Sequence, residues 1–282
     1  MPCPICDDTG WKTIEVDGVA RVTRCDCIRS TAGDRLVADS RIPKRYQHCT
    51  FANYVVYNEQ LDKALQYCVR LADRFPVVDK GALLQGLPGV GKTHLAVATL
   101  LQMIRTRGAR GLFYDTRDLL RVIRSTYDPV NRTAEMDVLG PVMRADVLVL
   151  DDLGAEKTSE WVEETMNLIV NTRYSEKRLT IFTTNYDDNP DITDPDSLLF
   201  RIGARMRSRL HEMSESLYLS GADYRELPPN GGVEELMTLW KMRPKASRKP
   251  SLPGRTSGQA RAQLRERDGR ADLKWSGGRA GS

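Results

Sequence analysis

Gly86-Leu-Pro-Gly-Val-Gly-Lys-Thr93 is the stretch around which this 282-residue chain is read. It fits G-x-x-x-x-G-K-[ST], a P-loop whose backbone N–H groups cradle phosphates. Before it, Gly81-Ala-Leu-Leu-Gln85 is a short apolar run with the character of a buried strand. After it, His94 to Arg105 has apolar residues at spacings of three and four, a helical pattern. Strand, glycine loop and helix form the context the motif requires. Gly86, Gly89 and Gly91 allow torsions that other residues resist, so successive N–H groups can converge on phosphate oxygens. The helix starting near Lys92 adds its positive dipole end at the same point. Lys92 then reaches the β- and γ-phosphates and the Thr93 hydroxyl ligates Mg²⁺, with Pro88, Val90 and His94 beside the nucleotide. The motif implies that a nucleoside triphosphate binds here.

Working outward, apolar runs alternate with helical patterns. Asn58–Phe75 is helical by its spacing, and Gly111–Asp115 is a second strand followed by a helix from Thr116 to about Ser125. Tyr127–Asn131 is a turn, and Ala134–Arg144 is a helix that Gly140-Pro141 should interrupt. Val147–Leu150 and Leu179–Thr183 are further strands, Glu160–Ser175 and Ser197–Leu210 are helices, and Ser216–Leu219 is a last strand. Strands apolar on both faces and alternating with helices predict an α/β fold with a five-stranded parallel sheet flanked by helices.

Asp151 and Asp152 follow directly on Val147–Leu150. Ligands of open α/β sheets bind beyond the carboxyl ends of strands, so both carboxylates belong on the P-loop side. Asp151 is expected to hold Mg²⁺, and Asp152 to act as the catalytic acid–base group, with Glu156 as an alternative. Asn185 lies just beyond the strand Leu179–Thr183, where it either bonds the γ-phosphate or attacking water, or merely serves a turn. Arg205 and Arg209 lie four apart on one helical face. An added guanidinium accelerates phosphoryl transfer on the order of 10³–10⁵-fold, although most helical arginines are surface residues.

Composition sets the remaining bounds. Hydrophobic residues make up 40% and charged residues 28%, as in ordinary globular chains. No apolar run approaches the ~20 residues that cross a bilayer, and no signal-like segment opens the chain, so a reducing cytoplasm and no membrane are expected. The net charge of +4 is uneven: Lys241–Ser282 carries +9 and the remainder −5. That basic, Gly/Ser/Pro/Arg-rich tail is expected to be disordered. Cys3-Pro-Ile-Cys6 and Cys25-Asp-Cys27 give C-x₂-C-x₁₈-C-x-C, two thiol pairs that suit tetrahedral Zn²⁺. Asp17-Gly18 between two β-rich runs predicts a hairpin joining the pairs, as in a zinc ribbon. The expected organisation is a zinc-ribbon-like module over 1–30, a linker over 31–50, the catalytic core over 51–228 and a flexible basic tail over 229–282.

G-L-P-G-V-G-K-T-H-L-A (86–96), V-L-V-L-D-D-L-G-A-E (147–156), N-T-R-Y-S-E-K-R-L-T-I-F-T-T-N-Y (171–186) and R-I-G-A-R-M-R-S-R-L (201–210) together resemble AAA+ ATPases of the DnaC/DnaI helicase-loader group. IstB-type transposition helpers are similar nearly as well. The resemblance covers about Phe51 to Leu227. It implies an ATP·Mg²⁺-dependent ATPase core in which Asn185 senses the γ-phosphate, Arg209 is the arginine finger beside Arg205, and Arg225 is a second sensor. It further implies a short or absent helical lid, oligomerisation on ATP, and a replicative DNA helicase and single-stranded DNA as partners. The alternatives are a transposition helper and a DNA-binding adaptor whose ATP site is a slow switch.

Overall fold

The computed structural model describes residues 3–7, 9–16, 18–127, 134–156, 159–191 and 193–243. An antiparallel hairpin of β1 (Trp11–Val16) and β2 (Val19–Arg24) leads into α1 (Asp26–Asp39) and α2 (Glu59–Arg74). Then come β3 (Gly81–Gln85), α3 (Lys92–Arg107), β4 (Gly111–Asp115), α4 (Thr116–Ser125), α5 (Glu135–Arg144) and β5 (Val147–Asp151). The chain continues through α6 (Glu160–Ser175), β6 (Leu179–Thr184), α7 (Leu198–Met213), β7 (Ser214–Tyr218) and α8 (Val233–Met242). The expected five-stranded sheet is present, wholly parallel, in the order β4-β5-β6-β3-β7.

Alternation along the strands builds two apolar layers. Ala82, Leu84, Val147, Val149 and Ile181 face one side with α2 and α3, while Leu83, Leu148, Leu150 and Phe182 face the other with α4 to α7. Both faces are covered, which is why these strands read as continuous apolar runs. Placing β3 between β6 and β7 puts the loop after β3 at the point where strand order reverses, the crevice where such sheets bind ligands.

Three segments differ from the sequence reading. The linker expected over 31–50 is partly helix: α1 runs to Asp39, its Leu36 and Val37 pack on the core, and Ile42 and Cys49 are buried. The Phe113 N–H donates to the Ser40 carbonyl at 2.8 Å, so this segment also covers the outer edge of β4. Within the tail expected from 229, α8 forms where Val233, Leu236, Met237 and Trp240 make an apolar stripe, with Leu236 buried and Trp240 against Tyr57. The tail beyond Arg243 lies outside the described residues. Finally, α5 stays continuous through Pro141. Proline crowds the Cβ of the residue before it, and Gly140 has none, so the helical conformation survives at the loss of one backbone bond. Among the described residues, no helix is long and apolar enough to cross a membrane.

One buried cation ties the second layer together. Arg173 of α6 is fully buried and donates from Nε to Thr180 Oγ1 (2.9 Å) and from its terminal nitrogens to the carbonyls of Val142, Ala145 and Leu179. It thereby caps the carbonyl end of α5, where the helix dipole favours a cation. Burial pushes its guanidinium down to about 9. Arg173→Leu leaves these acceptors unpaired and is expected to cost about 3–5 kcal/mol, read as a lowered urea midpoint with unchanged slope. A midpoint within experimental error of the parent would remove Arg173 from this role.

Candidate functional site

The loop between β3 and α3 takes the conformation its glycines permit. Gly89 and Gly91 have φ of 81° and 95°. At Gly89 the need is also steric, because a Cβ would stand 1.8 Å from Asp223 Oδ1. The Tyr224 N–H donates to the Gly89 carbonyl at 3.0 Å, so the segment after β7 fastens the loop from above. Gly91 is the N-cap of α3, and Lys92, Thr93 and His94 form that helix's first turn.

Lys92 is buried, and its ammonium donates to Gly86 O (2.8 Å), Leu87 O (2.8 Å) and Asn185 Oδ1 (2.7 Å). These three acceptors are neutral. Burial brings Lys92 down to about 8, against the pull of Asp152 and Asp151. Asp151, at the end of β5, accepts from Thr93 Oγ1 (2.9 Å) and Thr183 Oγ1 (2.6 Å). Burial raises its carboxyl to about 6 despite those two bonds. Asp152 sits in the left-handed region at φ 57°, its N–H donating to Thr183 Oγ1 at 3.0 Å. Its carboxylate accepts from Asn185 Nδ2 (2.7 Å) and Arg117 (3.4 Å). Asn185 thus bridges the P-loop lysine and the second acid. Sheet order explains the meeting: β6 lies between β3 and β5, so Thr183 and Asn185 at its end reach both neighbours.

Around this centre is a cleft of about 800 Å³. Its walls include Pro88, Gly89, Val90, Gly91, Lys92, Thr93, His94, Asp151, Asp152, Asn185 and Arg225, which brings eleven of the sequence-predicted positions together. Gly86 takes part through its carbonyl on Lys92. Arg205 and Arg209 do not line the cleft. Arg205 is exposed, and Arg209 is half-buried with its Nη1 donating to the Arg205 carbonyl at 3.2 Å. Glu156 lines a separate small cavity beside α6 and α7 instead of the cleft.

Several residues of the site carry no sequence signal of their own. Thr183 lies inside an apolar strand, and Arg117 and Asp223 belong to loops and helix starts with no motif. The aromatic wall also escaped the reading: Tyr54 packs on His94 with ring centroids 5.4 Å apart, and Tyr57 lines the same end. His94 Nε2 lies 2.9 Å from the Thr50 carbonyl, which holds the ring in place.

The donor set fits a magnesium nucleotide. A desolvated ammonium with only neutral partners suits phosphate oxygens, and a buried carboxylate beside a hydroxyl suits a hard divalent cation. At the other end of the chain, the sulfurs of Cys3, Cys6 and Cys25 all lie within 4.8 Å of one another, and those of Cys3 and Cys25 are 3.8 Å apart. A tetrahedral site with Zn–S of about 2.3 Å has S···S edges of about 3.8 Å, so three of the four expected ligands fit zinc. Cys25 is the N-cap of α1. The Cys27 side chain lies outside the described residues.

A sequence model described as IstB-like ATP binding protein matches residues 35–190, more than half of the chain. The chain belongs to this family. Among relatives, the replicative helicase loader DnaC of Buchnera aphidicola subsp. Schizaphis graminum is 29% identical over 54% of this chain and 62% of its own length. The DnaC of Escherichia coli (strain K12) is 31% identical over 52% of this chain and 59% of its own. The chain therefore spans less than two thirds of the length of these curated relatives. A crystal structure of the DnaC helicase loader matches with a TM-score of 0.56 at 36% identity, over 63% of this chain and 99% of that one. The DnaI structure shares the fold at 22% identity, with a TM-score of 0.53 over 65% of this chain and 94% of that one.

The shifted carboxyl of Asp151 gives a signed expectation for the nucleotide-free protein. Its folded value, about 6, lies above the ordinary 3.8. The stability it contributes is present below about pH 4 and is lost as pH rises through 6. Asp151→Asn retains the hydroxyl bonds without the buried charge. It is expected to raise stability at pH 7 by on the order of 1–3 kcal/mol and to flatten the profile between pH 4 and 6. Thermal melts across that range check both. A destabilised variant at pH 7 would contradict the assignment.

Proposed function

We propose that this chain is an ATP-hydrolysing loader of a replicative DNA helicase, working as an oligomer in which one subunit's arginines complete the next subunit's site. The observation that carries the reading is a division within one subunit. Lys92, Thr93, Asp151, Asp152 and Asn185 converge on one cleft, while Arg205 and Arg209 stand on α7 outside it. A phosphate cleft lined by Arg45 and Arg225 but not by Arg205 or Arg209, on a chain that carries this second pair elsewhere, suits hydrolysis shared between copies. The likeness to DnaC helicase loaders supplies the choice of partner. Single-stranded DNA as the template on which the complex assembles is part of the same proposal.

In this reading Lys92 neutralises the β- and γ-phosphates, and Arg225 approaches the same phosphates from the segment after β7. Thr93 and Asp151 hold Mg²⁺, which when bound spreads charge off the phosphates. Asp152, held by Asn185, orients and deprotonates the attacking water. Arg209, with Arg205 beside it, meets the neighbour's γ-phosphate. The Cys3, Cys6, Cys25 and Cys27 thiolates hold one structural Zn²⁺, and the small hairpin depends on that metal for its fold. The family description favours a second reading, a transposition helper with the same chemistry and a transposase as partner.

Lys92→Ala is expected to abolish binding in a fluorescent-ATP titration. Arg209→Ala should bind ATP as the parent does yet lose stimulated hydrolysis, on the order of 10³-fold or more. Normal stimulated turnover in Arg209→Ala would exclude it as the shared arginine. Pull-downs with the cognate replicative helicase and with a transposase, each with and without ATP, separate the partners: nucleotide-dependent capture of the helicase supports loading, and capture of the transposase alone supports the second reading. Metal analysis after chelator-free, reducing purification should find about one zinc per chain, lost in the Cys25→Ser, Cys27→Ser double variant. Zinc-free parent protein would defeat the metal assignment.

A further inference from the structure

Four consecutive residues leaving β6 make contacts at two distant places. Asn185 accepts from Lys92 Nζ and donates to Asp152, both at 2.7 Å. The Tyr186 ring lies under the Arg201 guanidinium, 4.6 Å from centroid to Cζ. The Asp187 carbonyl accepts from the Leu198 N–H at 2.8 Å. Asp188, whose side chain is 14% exposed, takes Arg207 Nε on Oδ1 at 2.5 Å and lies 2.6 Å from His211 Nε2 through Oδ2. The nucleotide cleft and α7 are therefore joined by a segment too short to absorb much movement.

The α7 helix is bent where this matters. Gly203 has φ 78° and ψ 160°, outside helical values, so the element is two helices meeting at a kink. Arg201 and Leu198 lie before the kink, and Arg207 and His211 lie one turn apart after it. The segment from Tyr186 to Asp188 thus grips both arms. Arg205 and Arg209 project from the second arm, the one Asp188 holds. A charged pair with little exposure and a second basic partner is a stronger tether than a surface pair, because solvent screens it less.

We propose that Asp188 is a positioning residue that sets the angle of the second arm of α7, and so aims Arg205 and Arg209, in register with the Asn185 end of the same segment. Phosphates arriving at Lys92 compete for the ammonium that holds Asn185, which changes the pull on one end. The other end, through Asp188, carries that change to the arginines. The chain's own nucleotide state then governs what it offers to its neighbour. The proposal rests on the reading of Arg209 as an arginine acting on another copy.

The test uses full-length Asp188→Asn, Arg207→Gln and their double variant in steady-state ATP hydrolysis with Mg²⁺ and an oligo-dT strand, beside Arg209→Ala. Asp188→Asn should keep fluorescent-ATP affinity and KM near parent values while kcat falls roughly 10–100-fold, the scale of a misplaced catalytic group. Arg207→Gln should do the same, and the double variant should fall no further than either single change. Parent-like kcat in Asp188→Asn, with Arg209→Ala inactive, overturns the positioning role and leaves the shared-site reading standing. Parent-like kcat in Arg209→Ala removes that reading and this proposal with it. A loss of ATP affinity equal to the loss of kcat, or fully additive single changes, marks Asp188 as mere structural support and overturns the proposal.

Discussion

The buried ammonium of Lys92 is the constraint on which the rest of this structure depends. Carrying a positive charge out of water is costly unless hydrogen bonds receive it, and here two loop carbonyls and one side-chain amide do so. Each receiver is fixed by a different part of the fold: the carbonyls by the glycine loop, the amide by the end of β6. The neighbouring carboxylate of Asp151 is also desolvated, which displaces the two groups' titrations toward neutrality from opposite sides. A ligand that brings anionic oxygens and a divalent cation relieves both. The site is arranged to be completed.

The sheet makes that arrangement possible through order more than through any single strand. With β3 between β6 and β7, and β5 beyond β6, the loop, the asparagine and the acid pair share one edge of the sheet. Thr183 ties the acid pair to β6 through its hydroxyl, bonding the Asp151 carboxylate and the Asp152 N–H. The opposite layer needs its own anchor, and Arg173 provides it by gathering carbonyls from α5 and β6. The sulfur cluster at the start of α1 stands at one end of a helix whose other end packs on α3 and β4. The hairpin module is thereby attached to the nucleotide-binding core through a helix.

The P-loop, the strands and the pairing of β1 with β2 were legible because each is a short-range pattern; Asp17 of the expected turn lies outside the described residues. Gly89 and Gly91 need positive φ, strand residues need burial on both faces, and both demands are visible within a few positions. Asp151 and Asn185 were legible because a residue ending a parallel strand inherits a place at the ligand edge. The helical linker and α8 inside the expected tail depend on contacts with residues far along the chain. The unbroken α5 has a local cause, the missing Cβ of Gly140 before Pro141. Arg117, Thr183, Asp223 and the Tyr54 wall are unremarkable locally and matter only through what the fold sets beside them.

By itself, then, the sequence determined that a phosphate-binding loop exists, that it ends a strand of a parallel sheet, and which acids and amide share its edge. These follow from torsional freedom, alternation and burial, which act along a few residues. Tertiary structure alone decided that Lys92 rests on neutral oxygens, that Asn185 joins it to Asp152, and that Arg205 and Arg209 stand apart from their own chain's cleft. Those facts depend on the order of strands and the bend at Gly203, because hydrogen bonds and ion pairs act through distance in space, and residues 93 positions apart become neighbours only when the sheet is assembled.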